Sequence, residues 1–150
     1  MTKTPIAYIV FNRPNITKKS FKVIKEQKPS ELFIIADGPR LGHTNDIKNC
    51  LEVRKIVEKI DWPCKVYRDY SETNLGLKNR VSSGLNWVFK NVESAIILED
   101  DCIAHTDFFK FCNILLDHYA YNDKVAVITG NNFQNKQWRG NASYYFSRNN

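Results

Sequence analysis

The sequence predicts an α/β domain with a mainly parallel, twisted sheet and helices on both faces. Short apolar runs rich in strand-favouring residues are the first sign: Ile6-Ala7-Tyr8-Ile9-Val10-Phe11, Leu32-Phe33-Ile34-Ile35-Ala36 and Ala95-Ile96-Ile97-Leu98. They read as strands buried on both faces. The second sign is that stretches of helical periodicity separate these runs. Parallel strands need crossover connections, and the crossovers lay helices over the sheet. Third, 150 residues with 43% hydrophobic content can hold one core, since a domain of this size buries about 68–70% of its unfolded surface. No repeat, low-complexity tract or Pro/Gly linker divides the chain, so 1–150 is expected to form a single domain.

After the first run, Thr17 can cap a helix carrying Phe21 and Ile24. After the second, Asn45 can cap a helix whose Ile47, Leu51, Ile56, Val57 and Ile60 form an apolar stripe. Asp61-Trp62-Pro63 then leads into a more polar strand, Cys64-Lys65-Val66-Tyr67, and a helix over 78–91 turns Val81, Leu85, Val88 and Phe89 inward. Beyond the third apolar run, Thr106 opens a helix with Phe109, Cys112, Leu115, Leu116 and Tyr119 on one side. The turn Tyr121-Asn122-Asp123-Lys124 introduces a last strand, Val125-Ala126-Val127-Ile128-Thr129. The stretch 134–150 is polar and aromatic without a clear cap and reads as a domain cut short.

Composition narrows the function classes. No run of about 20 apolar residues could span a bilayer, and the start Met1-Thr2-Lys3-Thr4-Pro5 lacks the layout of a signal peptide, so a cytoplasmic protein is expected. Cys50, Cys64, Cys102 and Cys112 form no C-x-x-C pair and read as reduced thiols. With His43, His105 and His118 they make no zinc pattern. The net charge of +6 points to anionic partners without choosing among them. Lys18, Lys22 and Lys25 lie opposite Phe21 and Ile24, as on an ordinary solvated helix face. Neither G-x-x-x-x-G-K-[ST] nor G-x-G-x-x-G occurs, which removes the usual ATPase and dinucleotide signatures.

In an open α/β sheet, ligands collect outside the carboxyl ends of the strands. Four of those positions carry polar clusters: Asn12 and Arg13; Asp37, Gly38 and Arg40; Glu99, Asp100 and Asp101; and Gly130, Asn131 and Asn132. Three consecutive acids repel one another and lose solvation at a strand end, and a divalent cation such as Mg²⁺ or Mn²⁺ would compensate them. The plainer reading is a helix-capping or surface-paired acidic cluster. Asp37-Gly38 taken alone reads as a turn. Asn74-Leu75-Gly76 followed by Lys78 and Arg80 offers a helix N-terminus and two cations that could face phosphate oxygens. Ser82-Ser83-Gly84 lacks a hydrolase elbow and reads as a packing contact.

The order Ala7-Tyr8-Ile9-Val10-Phe11-Asn12-Arg13-Pro14, then Ile35-Ala36-Asp37-Gly38-Pro39-Arg40, then Asn74-Leu75-Gly76, then Leu98-Glu99-Asp100-Asp101 resembles a GT-A-type glycosyltransferase. It is most similar to bacterial sugar transferases related to the N-acetylglucosaminyltransferases that carry Glu-Asp-Asp in place of Asp-x-Asp. The resemblance implies the Rossmann-like, nucleotide-sugar-binding half of a metal-dependent transferase, moving a sugar from a nucleoside-diphosphate sugar, commonly UDP-linked, to an acceptor hydroxyl with inversion. Carried over motif by motif, it makes Asp101 the metal ligand for Mn²⁺ or Mg²⁺, sets Asp100 at the ribose and turns Glu99 towards the donor sugar. Asp37 and Gly38 would lie at the base, with Asn12, Arg13 and Asn74 lining the nucleotide site. Lys78 and Arg80 would reach the phosphates, and Asn131 and Asn132 would border the sugar. The catalytic base of such enzymes lies in the C-terminal half, so it is expected outside this chain, together with the acceptor-binding region.

Two other functions compete. Clustered carboxylates also suit a Mg²⁺-dependent phosphoryl-transfer enzyme or nuclease, although the haloacid-dehalogenase-like D-x-D-x-[TV] is absent because Cys102-Ile103 follows Asp101. A non-catalytic nucleotide- or nucleic-acid-binding domain would use the positive charge, but no basic run with interleaved aromatics appears.

Overall fold

The computed structural model describes residues 2–130 and Tyr144. Four strands, β1 (Ile6–Val10), β2 (Glu31–Ala36), β3 (Lys65–Tyr70) and β4 (Ile96–Glu99), alternate with four helices, α1 (Pro14–Gln27), α2 (Thr44–Val57), α3 (Gly76–Phe89) and α4 (Thr106–His118). The strands form one sheet in the order β3-β2-β1-β4, every pair parallel.

That order follows from chirality. A crossover between parallel strands is right-handed in nearly every case. As the chain steps from β1 to β2 to β3 it moves one way along the sheet, and α1 and α2 fall on the same face. The next step jumps back past β2 and β1 to place β4 on the far side of β1, so α3 must cross the opposite face. The two resulting cores share the sheet. On one face Ile6, Tyr8, Leu32 and Ile34 pack against Phe21 and Ile24 of α1, Val53 and Val57 of α2, and Phe109 of α4. On the other, Ala7, Ile9, Phe33 and Ile35 pack against Val81, Leu85 and Val88 of α3. Gly84 makes the second contact close, because a Cβ there would come within 2.7 Å of the Ile35 side chain. Of Ser82-Ser83-Gly84, expected to pack, Gly84 does so, while Ser82 and Ser83 are exposed.

Several expectations need correction. The segment 125–129 carries no strand, and Val127 is 70% exposed; an apolar run becomes a strand only where a sheet edge pairs with it. β4 is buried on one face alone: Ile96 and Leu98 point into the core, while Ile97 is 41% exposed because α3 covers β1 and β2 rather than β4. The inward stripe of α2 is Asp46, Cys50, Val53 and Val57. Ile47 and Leu51 instead face outward and Ile56 is half-buried. Phe89 likewise lies on the exposed side of α3. α1 starts at Pro14, with Thr17 inside the helix and its hydroxyl bonded back to the Arg13 carbonyl, and α2 starts at Thr44, one residue before Asn45. Cys50 and Cys112 are buried thiols, Cys64 is half-buried and Cys102 is exposed. No helix among the described residues is long and apolar enough to cross a membrane.

Candidate functional site

The register aligns the strand ends. Val10 pairs with Ala36, Ala36 with Tyr70, and Ile9 with Glu99, so the residues that follow lie side by side along one rim. Strand order reverses between β1 and β4, the place where ligands of open α/β sheets collect; the loops after both strands lead to α1 and α4 on the same face and are joined by the Arg13–Asp100 pair. A cleft of about 290 Å³ opens on this rim, and Arg13, Asp37, Asn74, Arg80, Glu99 and Asp100 contribute to its lining. Phe11, Arg40 and Leu77 complete much of the rest.

Asp100, 2% exposed, sits at the turn after β4. The Arg13 guanidinium forks onto its two carboxylate oxygens and donates a further hydrogen bond, 3.1 Å long, from Nη1 to Asp101. The hydrogen bonds to Asp100 raise the Arg13 pKa further above its already high ordinary value. The Asp100 main chain is fixed separately: the Ser20 hydroxyl donates to its carbonyl at 2.6 Å and also bonds the buried Tyr8 hydroxyl. Burial first of all drives the Tyr8 pKa upward, so this group stays a neutral hydrogen-bonding phenol. Asp101 is half exposed.

Asp37 is buried and accepts four hydrogen bonds. One carboxylate oxygen takes the Gly38 and Leu75 amides, both at 2.9 Å; the other takes the Asn74 side chain at 2.9 Å and the Gly76 amide at 3.2 Å. The carboxylate therefore caps α3 from the neighbouring strand end, satisfying amides that the helix leaves unpaired. Gly76, at φ 76°, turns the chain into that helix, a left-handed backbone that a residue without Cβ adopts freely.

Sequence reasoning placed Asp37, Asn74, Arg80, Arg13, Glu99 and Asp100 on one rim, and the structure brings these six to one cleft. Asn12 turns away to donate to Asp46 at 2.7 Å. Gly38 serves a close chain approach, since a Cβ would meet the Glu72–Thr73 backbone at 2.6–2.7 Å. Lys78 is exposed and does not line the cleft. Asp101 lies just outside the lining, joined to it through Arg13. Asn131 and Asn132 lie outside the described residues. Gly130 lies beside the Phe108 ring.

Arg40 was given no role at the site, whereas Arg80 was expected to reach the phosphates. Arg40 lines the cleft over the Phe11 ring, 5.6 Å from its centroid, and forks onto Asp46 with hydrogen bonds of 2.6 and 3.0 Å. Hydrogen bonds from Arg40, then from Asn12, hold the Asp46 carboxyl well below the usual carboxylate range. Arg80 is 4% exposed; its Nη2 bonds the Asp69 carboxylate at 2.6 Å and carbonyl at 2.8 Å, while its buried Nε has no hydrogen-bond partner among the described residues.

The chain matches no family model, no curated protein and no solved structure.

The donor chemistry around Asp101 fits a hard cation in one particular way. Among the described residues, no three metal-ligating side chains come together, so the protein offers no complete cage. It offers the half-exposed Asp101 carboxylate beside Asp100, the two bridged by the Arg13 guanidinium. Mg²⁺ commonly takes one or two carboxylates and completes its shell with water and substrate phosphates, and that arrangement suits these residues.

Proposed function

We propose that this domain binds a nucleoside-diphosphate sugar, UDP-linked by the resemblance of its motifs, as the donor-binding part of a metal-dependent glycosyltransferase. One observation carries the reading: polar residues from all four strand ends meet in a single cleft at the switch point between β1 and β4. Ligands of doubly wound sheets bind at that place.

Within this reading, Phe11, Leu77 and Val81 give the cleft an apolar wall for a base or sugar ring. Asp37 and Asn74 hold the loop before α3, and Arg80 presents a buried guanidinium on the same side. Asp100 would take the ribose and Glu99 the donor sugar, with Asp101 as the ligand for Mn²⁺ or Mg²⁺. When bound, the cation would supply charge compensation for the departing diphosphate. The chain's own residues bind and orient the donor; the acceptor and the base that activates its hydroxyl belong to a region beyond this cleft.

Calorimetric titration with UDP-N-acetylglucosamine, with and without Mn²⁺, tests the proposal. Binding should be tighter with Mn²⁺, and Asp101→Asn should remove most of that gain, on the order of tenfold or more. Failure to bind any nucleotide sugar would refute it. Phosphomonoesterase or nuclease activity abolished by the same substitution would favour the phosphoryl-transfer alternative.

A further inference from the structure

Each guanidinium lining the cleft is already committed. Arg40 is forked onto Asp46, Arg80 is bonded to Asp69, and Arg13 bridges Asp100 and Asp101. A diphosphate entering this cleft therefore meets guanidiniums whose charge is already balanced by carboxylates, and its own charge is compensated only if a pair opens or a cation comes with it.

The three pairs differ in how readily they can open. The Arg80 side chain is 5% exposed and bonds both the main chain and the side chain of Asp69, so it is fixed in place. Withdrawing the Arg40 side chain would strip the buried Asp46 of its principal donor and leave only the Asn12 side-chain amide and the Arg40 main-chain amide. A buried charge that loses its partner is strongly destabilised. Arg13 and Arg40 are exposed alike, at 43% and 48%, but only Arg13 has a second acidic partner, Asp101, which is itself 51% exposed and gives the guanidinium an intermediate hold as it moves. Opening this pair alone would still uncover the buried Asp100. The cost disappears if a cation takes the guanidinium's place at the acids while the guanidinium follows the phosphate oxygens, because every charge then stays compensated.

We propose that Arg13 guards Asp100 and Asp101 in the ligand-free chain and yields them only in exchange for phosphate oxygens, so that a divalent cation and a diphosphate enter the cleft as a pair. The inference rests on the nucleoside-diphosphate reading above and adds to it a residue that excludes free cations. It follows from linkage that each ligand strengthens the other, with a coupling carried largely by Arg13. Arg13 is suited to both states because its planar fork matches carboxylate and phosphate alike, which a lysine ammonium does not.

The test is Mn²⁺ titration of the intact chain, with and without saturating UDP, for the wild type, Arg13→Gln and Arg13→Lys. In the wild type, UDP should tighten Mn²⁺ binding on the order of tenfold or more, and Arg13→Gln should tighten Mn²⁺ binding in the absence of UDP by a similar factor while shrinking the effect of UDP. Arg13→Lys keeps the charge without the fork and should fall between; it carries the test if the glutamine variant does not fold. Unchanged Mn²⁺ affinity in both variants, with UDP still binding the wild type, would overturn the guard and leave the nucleotide reading intact. Tighter Mn²⁺ binding in Arg13→Gln, with UDP bound by neither protein, would overturn the nucleotide reading and the exchange with it, leaving Arg13 only as a competitor of the cation.

Discussion

Single side chains decide how the rim is held, and Asp46 shows this most directly. Its carboxylate ties three segments together: Arg40 after β2, Asn12 after β1, and the first turn of α2 to which it belongs. Because these hydrogen bonds lower its pKa in the folded state, the stability it confers is fully present above the unfolded carboxylate value, about 3.9, and is lost as pH falls towards the lowered folded value. Thermal melts across the acidic range should therefore show the wild type losing stability more steeply below about pH 4 than Asp46→Asn, whose amide does not titrate. Equal slopes would mean that the Arg40–Asp46 pair contributes nothing in solution. Nothing local in Thr44-Asn45-Asp46-Ile47 marks this residue, since both partners arrive from other strand ends. Asp37, by contrast, was legible as a strand-end acid. Its three hydrogen bonds from Asn74, Leu75 and Gly76 at the start of α3 were not, because they depend on how the loop after β3 crosses the sheet.

At the scale of elements, legibility followed the number of covered faces. β1 and β2 are buried on both sides, and their unbroken apolar runs announced them. β3 is an edge strand with a mixed pattern; it was legible as a polar strand, though it starts at Lys65 and runs on to Tyr70. The α2 stripe was misassigned because Ile47 and Leu51 outweigh Asp46 and Cys50 in a hydropathy pattern, whereas the helix turns by the latter set. Asp46 can point inward because Arg40 and Asn12 compensate it, an outcome that periodicity cannot register. The loop after β2 offers a sharp test of close packing. Gly38→Ala would place a Cβ 2.6–2.7 Å from the Glu72–Thr73 backbone, and backbone has no rotamer with which to yield. The substitution should destabilise the domain by about 1–3 kcal/mol, read as a lower midpoint in urea. An unchanged midpoint would show that this loop moves freely against β2.

For the molecule as a whole, one topological event makes the cleft. Reversing direction between β3 and β4 sends α3 to the opposite face and sets β4 beside β1, so Arg13 and Asp100 meet at the switch point. Parallel α/β architecture was legible in the alternation of strands and helices. The order β3-β2-β1-β4 was not written in any one segment, although right-handed crossovers make it a natural solution once α3 is known to cover β1 and β2. The Glu99-Asp100-Asp101 cluster was legible as a strand-end site, but its pairing with Arg13 changes its character: the acids are compensated within the chain before any ligand arrives. The most direct measurement is a crystal structure of the chain soaked with UDP and Mn²⁺. Nucleotide density is expected in the cleft between β1 and β4, with metal density at Asp101 beside the phosphates and the Arg13 guanidinium on phosphate oxygens; nucleotide bound elsewhere, or no metal at Asp101 with the Arg13–Asp100 pair unbroken, would contradict the proposed site and exchange.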